Sequence, residues 1–173
     1  TINTTGNFSY GIELQGSNFT NISSNTINTT GNLSYGLSTL NSARNNLTQN
    51  TVSTKGTSGD TYGINITTSP NSLLQSNTIK TGTTGTGANN YGIYLAGSNE
   101  SNITGNTINT SGTGSNRGIY FNNSNSATVT SNTINTSGTS TTNDIIFSSS
   151  NTGNATGNTI NTRGTATNYG IFL

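Results

Sequence analysis

Apolar residues fall in columns that repeat every 25 to 29 positions. Asn-Thr-Ile occurs at Asn25-Thr26-Ile27, Asn77-Thr78-Ile79, Asn106-Thr107-Ile108, Asn132-Thr133-Ile134 and Asn158-Thr159-Ile160, with Asn50-Thr51-Val52 in the same slot and Thr1-Ile2 ahead of them. The seven starts are spaced by 25, 25, 27, 29, 26 and 26 residues. Two further columns keep step with Ile27, Val52, Ile79, Ile108, Ile134 and Ile160. Ile22, Leu47, Leu74, Ile103, Val129 and Ala155 stand five residues earlier. Ile12, Leu37, Ile64, Ile93, Ile119, Ile145 and Ile171 stand ten to fourteen later, mostly within Tyr-Gly-Ile-x-Leu. Two positions on, Leu14, Ile66, Leu95, Phe121, Phe147 and Leu173 give the period-2 mark of a strand with one buried face. No 3.6-residue apolar stripe is present, and Thr, Ser, Asn, Gly and β-branched residues favour strands and turns over helices.

A fixed period of this length marks a solenoid. Three short strands per coil, each repeated one coil later in the same direction, predict an all-β, three-sided parallel β-helix of about seven coils. With strands about 4.8 Å apart, its rod is roughly 33 Å long. The stretch between the second and third columns runs from Asn28 to Ser34 in one coil and from Lys80 to Asn90 in another, which marks a variable loop edge. The turn before Asn-Thr-Ile keeps its length. Asn25, Asn50, Asn77, Asn106, Asn132 and Asn158 end it, and a buried ladder of their amides is predicted. Each amide donates to one neighbour and accepts from the other, avoiding about 1–3 kcal/mol per unpaired group, and Asn tolerates left-handed backbone.

Asn90-Tyr91-Gly92-Ile93-Tyr94-Leu95, then Ser98-Asn99, then Asn102-Ile103-Thr104-Gly105-Asn106-Thr107-Ile108, resembles the repeat of right-handed parallel β-helix proteins of the pectate-lyase-like class. The resemblance spans the whole chain and concerns architecture. That class includes polysaccharide lyases and hydrolases, phage spikes, adhesins and structural passengers. Right-handed winding follows from this resemblance and from the general hand of parallel crossovers.

Charged residues make up 5% of the chain and the net charge is +1, so no electrostatic footprint for nucleic acid is present. Apolar residues, 26%, are spaced and never form a membrane-spanning run. Cys, His, Met and Trp are absent, which removes thiol, imidazole and disulfide chemistry. No cofactor and no metal site is expected. The chain also has no Asn-Gly pair, the favoured tight-hairpin dipeptide, as suits a parallel coil without hairpins.

Polysaccharide-active β-helices work with clustered carboxylates. Glu13, Asp60, Glu100 and Asp144 are the only acids here, and no two share a column in adjacent coils, so no catalytic residues are expected. Arg117 and Asp144, in adjacent coils, are expected to form a surface ion pair worth about 0–1 kcal/mol. Thr26, Thr51, Thr78, Thr107, Thr133 and Thr159 are expected to point outward beside Asn28, Ser53, Lys80, Asn109, Asn135 and Asn161. Flat Thr arrays resemble the water-ordering faces of ice-binding proteins, although Lys80 interrupts this one. Tyr10, Tyr35, Tyr62, Tyr91 and Tyr169 share the parity of the inward Ile and are expected to pack together at a corner of the tube. Asn18, Asn102 and Asn109 begin Asn-x-Ser/Thr sequons and are candidate glycosylation acceptors.

Residues 1–173 read as a single solenoid. The repeat begins mid-coil at Thr1-Ile2 and stops mid-coil at Phe172-Leu173, so the expectation is a segment of a longer repetitive chain or filament. The function expected is structural, a filament or stalk subunit outside the cell or on its surface that associates end to end with copies of itself. The alternative is a carbohydrate-binding adhesin passenger, with glycans as partners for the loop edge and for Tyr94 and Tyr120; an ice-binding protein comes third.

Overall fold

Strands stacked one coil above another build three parallel sheets. The computed structural model describes residues 1–85 and 88–173. Thr86 and Gly87, in the longest copy of the variable loop, lie outside the described residues.

The Asn-Thr-Ile segments form the first sheet from the leading halves of β1 (Ile2–Gln15) and β3 (Thr26–Leu40), then β5 (Thr51–Gly56), β8 (Thr78–Thr83), β11 (Thr107–Gly112), β14 (Thr133–Gly138) and β17 (Thr159–Gly164). The trailing halves of β1 and β3 continue into the second sheet with β6 (Thr61–Thr67), β9 (Asn90–Ala96), β12 (Asn116–Asn122), β15 (Thr142–Ser148) and β18 (Asn168–Phe172). Where the variable loop is shortest, β1 and β3 turn the corner without a break. The third sheet holds the three-residue strands β2 (Asn21–Ser23), β4 (Asn46–Thr48), β7 (Leu73–Gln75), β10 (Asn102–Thr104), β13 (Thr128–Thr130) and β16 (Asn154–Thr156). All pairs are parallel, and the described chain completes about six turns.

The register keeps the apolar columns aligned. Ile27, Val52, Ile79, Ile108, Ile134 and Ile160 face one another across the first sheet. Ile64, Ile93, Ile119, Ile145 and Ile171 do so across the second, and Ile22, Leu47, Leu74, Ile103 and Val129 across the third. Except for Ile160 and Ile171, these side chains are buried and form one core. Phe121 and Phe147 extend it with rings stacked 4.7 Å apart.

Each corner closes with its own polar column. Asn25 to Asn158 form the predicted ladder: Nδ2 of Asn50 donates to Oδ1 of Asn77 (3.1 Å) and to the Ile22 carbonyl (2.8 Å), and its Oδ1 accepts from the backbone N–H and Nδ2 of Asn25. Asn77, Asn106 and Asn132 repeat this pattern. The left-handed angles expected of these Asn fall one residue earlier, on Ser24, Gln49, Ser76, Gly105, Ser131 and Gly157. Each frees the following Asn to keep its side chain inside.

A second ladder, of Ser42, Ser69, Ser98, Ser124 and Ser150, lines the corner after the second sheet. The backbone N–H of each of Ser42 to Ser124 donates to the Oγ one coil on at 2.9–3.0 Å. At the variable corner the buried positions Thr61, Asn90, Asn116 and Thr142 align. There Asn90 Nδ2 donates to Asn116 Oδ1 at 2.8 Å, and Thr142 donates to Asn168.

Candidate functional site

Strict alternation along the second-sheet strands breaks at the glycine of Tyr-Gly-Ile. Pairing runs from tyrosine to tyrosine and from isoleucine to isoleucine, skipping the residue between. A Cβ on Gly92 would point inward, 2.3 Å from Cγ2 of Ile108 and 2.6 Å from the Gly118 carbonyl. Gly11, Gly36, Gly63 and Gly118 are pressed against Ile27, Val52, Ile79 and Ile134 in the same way. Glycine and the isoleucine after it therefore both face the interior, which turns the preceding tyrosine outward. The tyrosines pack together as expected, but on the outer face of the second sheet.

Tyr10, Tyr35, Tyr62 and Tyr91 stack there with centroids 4.7, 4.7 and 4.9 Å apart and planes within 5°. Arg117 takes the next position in the column, its guanidinium 5.1 Å from the Tyr91 ring and 5.2 Å from that of Tyr120, with Nη1 donating to the Tyr91 hydroxyl at 2.9 Å. A parallel column carries Tyr94 and Tyr120, rings 5.6 Å apart, and Tyr94 lies edge-on to Tyr62 and Tyr91. Burial raises the Tyr35 phenol to about 12. It raises Tyr91 to about 12 as well, against the opposing pull of Arg117. Tyr62 rises further, through burial and then the nearby Asp60.

The acids do not gather. Glu13 stands on β1, Asp60 in the variable loop and Glu100 in the turn before β10, while Asp144 lies inside the tube. Asp144 occupies the glycine position of the sixth coil, so its side chain enters the core, where Thr162 donates to its carboxylate. Burial lifts its pKa to about 6, against the opposing hydrogen bond from Thr162. The surface ion pair expected between Arg117 and Asp144 is therefore absent, because the two side chains lie on opposite faces of the sheet.

Thr26, Thr51, Thr78, Thr107, Thr133 and Thr159 point outward and are exposed. The neighbouring column is itself laddered: Asn28 donates to Asn3 at 2.9 Å and Asn135 to Asn109 at 3.1 Å. Lys55 and Lys80 flank a cleft of about 360 Å³ over Gly82 on this face. Of the sequon asparagines, Asn18 and Asn102 are exposed and Asn109 is half-buried. Oδ1 of Asn18 accepts the Ala43 N–H at 2.6 Å.

Sequence reasoning missed the serine ladder. Its signal is a fixed offset: Ser17, Ser42, Ser69, Ser98, Ser124 and Ser150 each stand five residues before the third-sheet column.

A family model described as "Periplasmic copper-binding protein (NosD)" matches residues 51–171, most of the repeat array. The chain belongs to the NosD family. No curated protein and no solved structure matches it. Because the NosD description names copper, the donors of this segment matter. Copper is held by imidazole, thiolate and thioether groups, and the 173 residues contain no His, Cys or Met. Among the described residues no three acidic side chains come together. This stretch of NosD-family chain does not fit copper.

Proposed function

We propose that this NosD-family solenoid is a structural rod, a stalk or filament segment of an exported protein working outside the cell or at its surface. The observation that carries this reading is that its corner Asn and Ser columns and its apolar columns are committed to coil-to-coil stacking. The Asn and Ser ladders hydrogen-bond each coil to the next, and the apolar columns stand in register with their counterparts one strand away within one shared core. Such an array is quasi-one-dimensional, with rigidity and length as its products and coils added on equal terms. The periplasmic setting in the family's description is compatible with export. End-to-end association with further coils completes the proposal.

The carbohydrate-binding alternative draws less support. Sugar stacking needs open ring faces, and both faces of Tyr35, Tyr62 and Tyr91 are covered by neighbours in the column. Electron microscopy of the purified chain and of native material tests the proposal. Continuous filaments with a layer spacing of about 4.8 Å are expected. Isolated rods that bind a glycan array, with binding lost on replacing Tyr94 and Tyr120 by alanine, would overturn it in favour of the adhesin.

A further inference from the structure

The outward column of the second sheet reads Tyr10, Tyr35, Tyr62, Tyr91, Arg117, Asn143 and Tyr169, aligned by strand register. Six of these seven positions carry a flat group, phenol or guanidinium. Asn143 is the exception, and its short side chain leaves a gap. A cleft of about 190 Å³ opens at this point. Asn143 and Ile146 form its floor, with Arg117, Tyr120, Tyr169 and Phe172 around it. Asn143 is only 6% exposed, and its Oδ1 has no hydrogen-bond partner; neither has Nε of Arg117.

We propose that this cleft binds a single aromatic ring carrying a hydrogen-bond donor, a phenol, as the missing rung of the stack. Spacing is the first argument. Arg117 and Tyr169 flank Asn143 one strand away on either side, so their backbone positions are separated by about 9.6 Å. One intervening ring then lies about 4.8 Å from each, matching the 4.7–4.9 Å of the existing tyrosine stack. Electrostatics is the second. The Arg117 guanidinium already lies over two aromatic rings, and a ring above Asn143 offers it another π face. The third is the floor, where Asn143 Oδ1 is closed off without a partner, and a turn of this amide toward the cleft lets a ring hydroxyl supply the donor it lacks.

The same walls disfavour a sugar. A pyranose brings several hydroxyls; Arg117, Asn143 and Ser148 can pair some, but those set against Ile146 and Phe172 would be left unpaired at about 1–3 kcal/mol each. A phenol brings one. It can come from a free phenolic molecule or from a tyrosine side chain of a peptide.

Backbone NMR of the full chain titrated with p-cresol tests the site. Saturable shifts confined to the strands around Arg117, Asn143 and Tyr169 are expected, at millimolar affinity or tighter, as suits so small a ligand. Toluene, which lacks the donor, should bind about fivefold more weakly, and methyl glucoside should leave the spectrum unchanged. Asn143→Tyr should fill the rung, abolish the p-cresol shifts and leave the rest of the spectrum in place. N-acetyl-tyrosinamide binding more tightly than p-cresol assigns a peptide source, and weaker binding a free phenol. The proposal is overturned if p-cresol gives no saturable shifts in the unmodified chain, if its shifts map elsewhere, if toluene binds equally well, or if methyl glucoside competes on equal terms. The unmodified-chain map decides the matter even if Asn143→Tyr does not fold.

Discussion

Nδ2 of Asn106 donates to Oδ1 of Asn132 at 2.9 Å, and each side chain is 1% exposed. Asn106 also accepts from the N–H and Nδ2 of Asn77 and donates to the Leu74 carbonyl. Asn106→Leu would strand these partners in the interior at about 1–3 kcal/mol each. A fall in Tm of at least about 6 °C is expected for a chain of this size. Thr107→Ser, one residue away and outward, should change stability by less than about 0.5 kcal/mol. Thermal denaturation of the two variants side by side checks the contrast; equal, small losses would show that the ladder carries little.

Asp144 introduces a pH dependence of defined sign. In the fold its carboxyl holds a proton up to about pH 6, whereas an unburied aspartate releases it at 3.8. Between those values the folded chain binds more protons than the unfolded one, so stability falls as pH rises from about 4 to about 6 and then levels off. The loss is about 1–3 kcal/mol. Asp144→Gly restores the glycine found in the other coils. It should remove this slope and leave the protein more stable than the unmodified chain at pH 7, as read from paired melting curves across pH 4–7.

Gly92 and Gly97, at the two ends of one second-sheet segment, make a matched test. Alanine at Gly92 would drive a Cβ to 2.3 Å from Ile108 and 2.6 Å from backbone oxygen, whereas Gly97, with φ +57°, has nothing within 4 Å of that point. Gly97→Ala should cost about 1 kcal/mol of left-handed strain. Gly92→Ala must displace a strand, and a loss of more than about 3 kcal/mol is expected from overpacking with backbone shift. Urea titration of both variants measures the difference.

The stacked tyrosines should resist base. Tyr35 and Tyr91 are held to about 12 and Tyr62 is raised as well, all chiefly by burial. The unfolded chain loses these protons near 10 while the fold keeps them, so stability should fall as pH rises above about 10. Spectrophotometric titration should show Tyr35 and Tyr91 ionising only together with unfolding or near pH 12, and Tyr62 no earlier than these. Titration of all seven near pH 10 in a folded chain would contradict the burial of the stack.

The period, the three sheets and the Asn ladder were legible because each recurs at a fixed offset, and stacking demands that. The tyrosine face was not. Counting parity from Ile93 back to Tyr91 assumes strict alternation, and Gly92, lacking a Cβ, lets two successive residues face the core. The same kink hid Asp144, whose position looks like surface until glycine is seen to point inward. The serine ladder was obscured by the abundance of Ser, although its offset from Ile22, Leu47 and Leu74 never changes. The vacant rung at Asn143 depends on side-chain length within a column that parity alone assigns to a buried corner.

Removal of one complete coil, residues 107–132, tests most directly the claim that this protein is a rod of interchangeable layers. The deletion joins Asn106 to Thr133 and brings Asn106 opposite Asn158 in the ladder. A folded β-protein with a modestly lower Tm and a rod shorter by about 4.8 Å is expected, measured by circular dichroism and small-angle scattering. An unfolded or aggregated chain would contradict the claim, because the coils would then depend on more than their immediate neighbours.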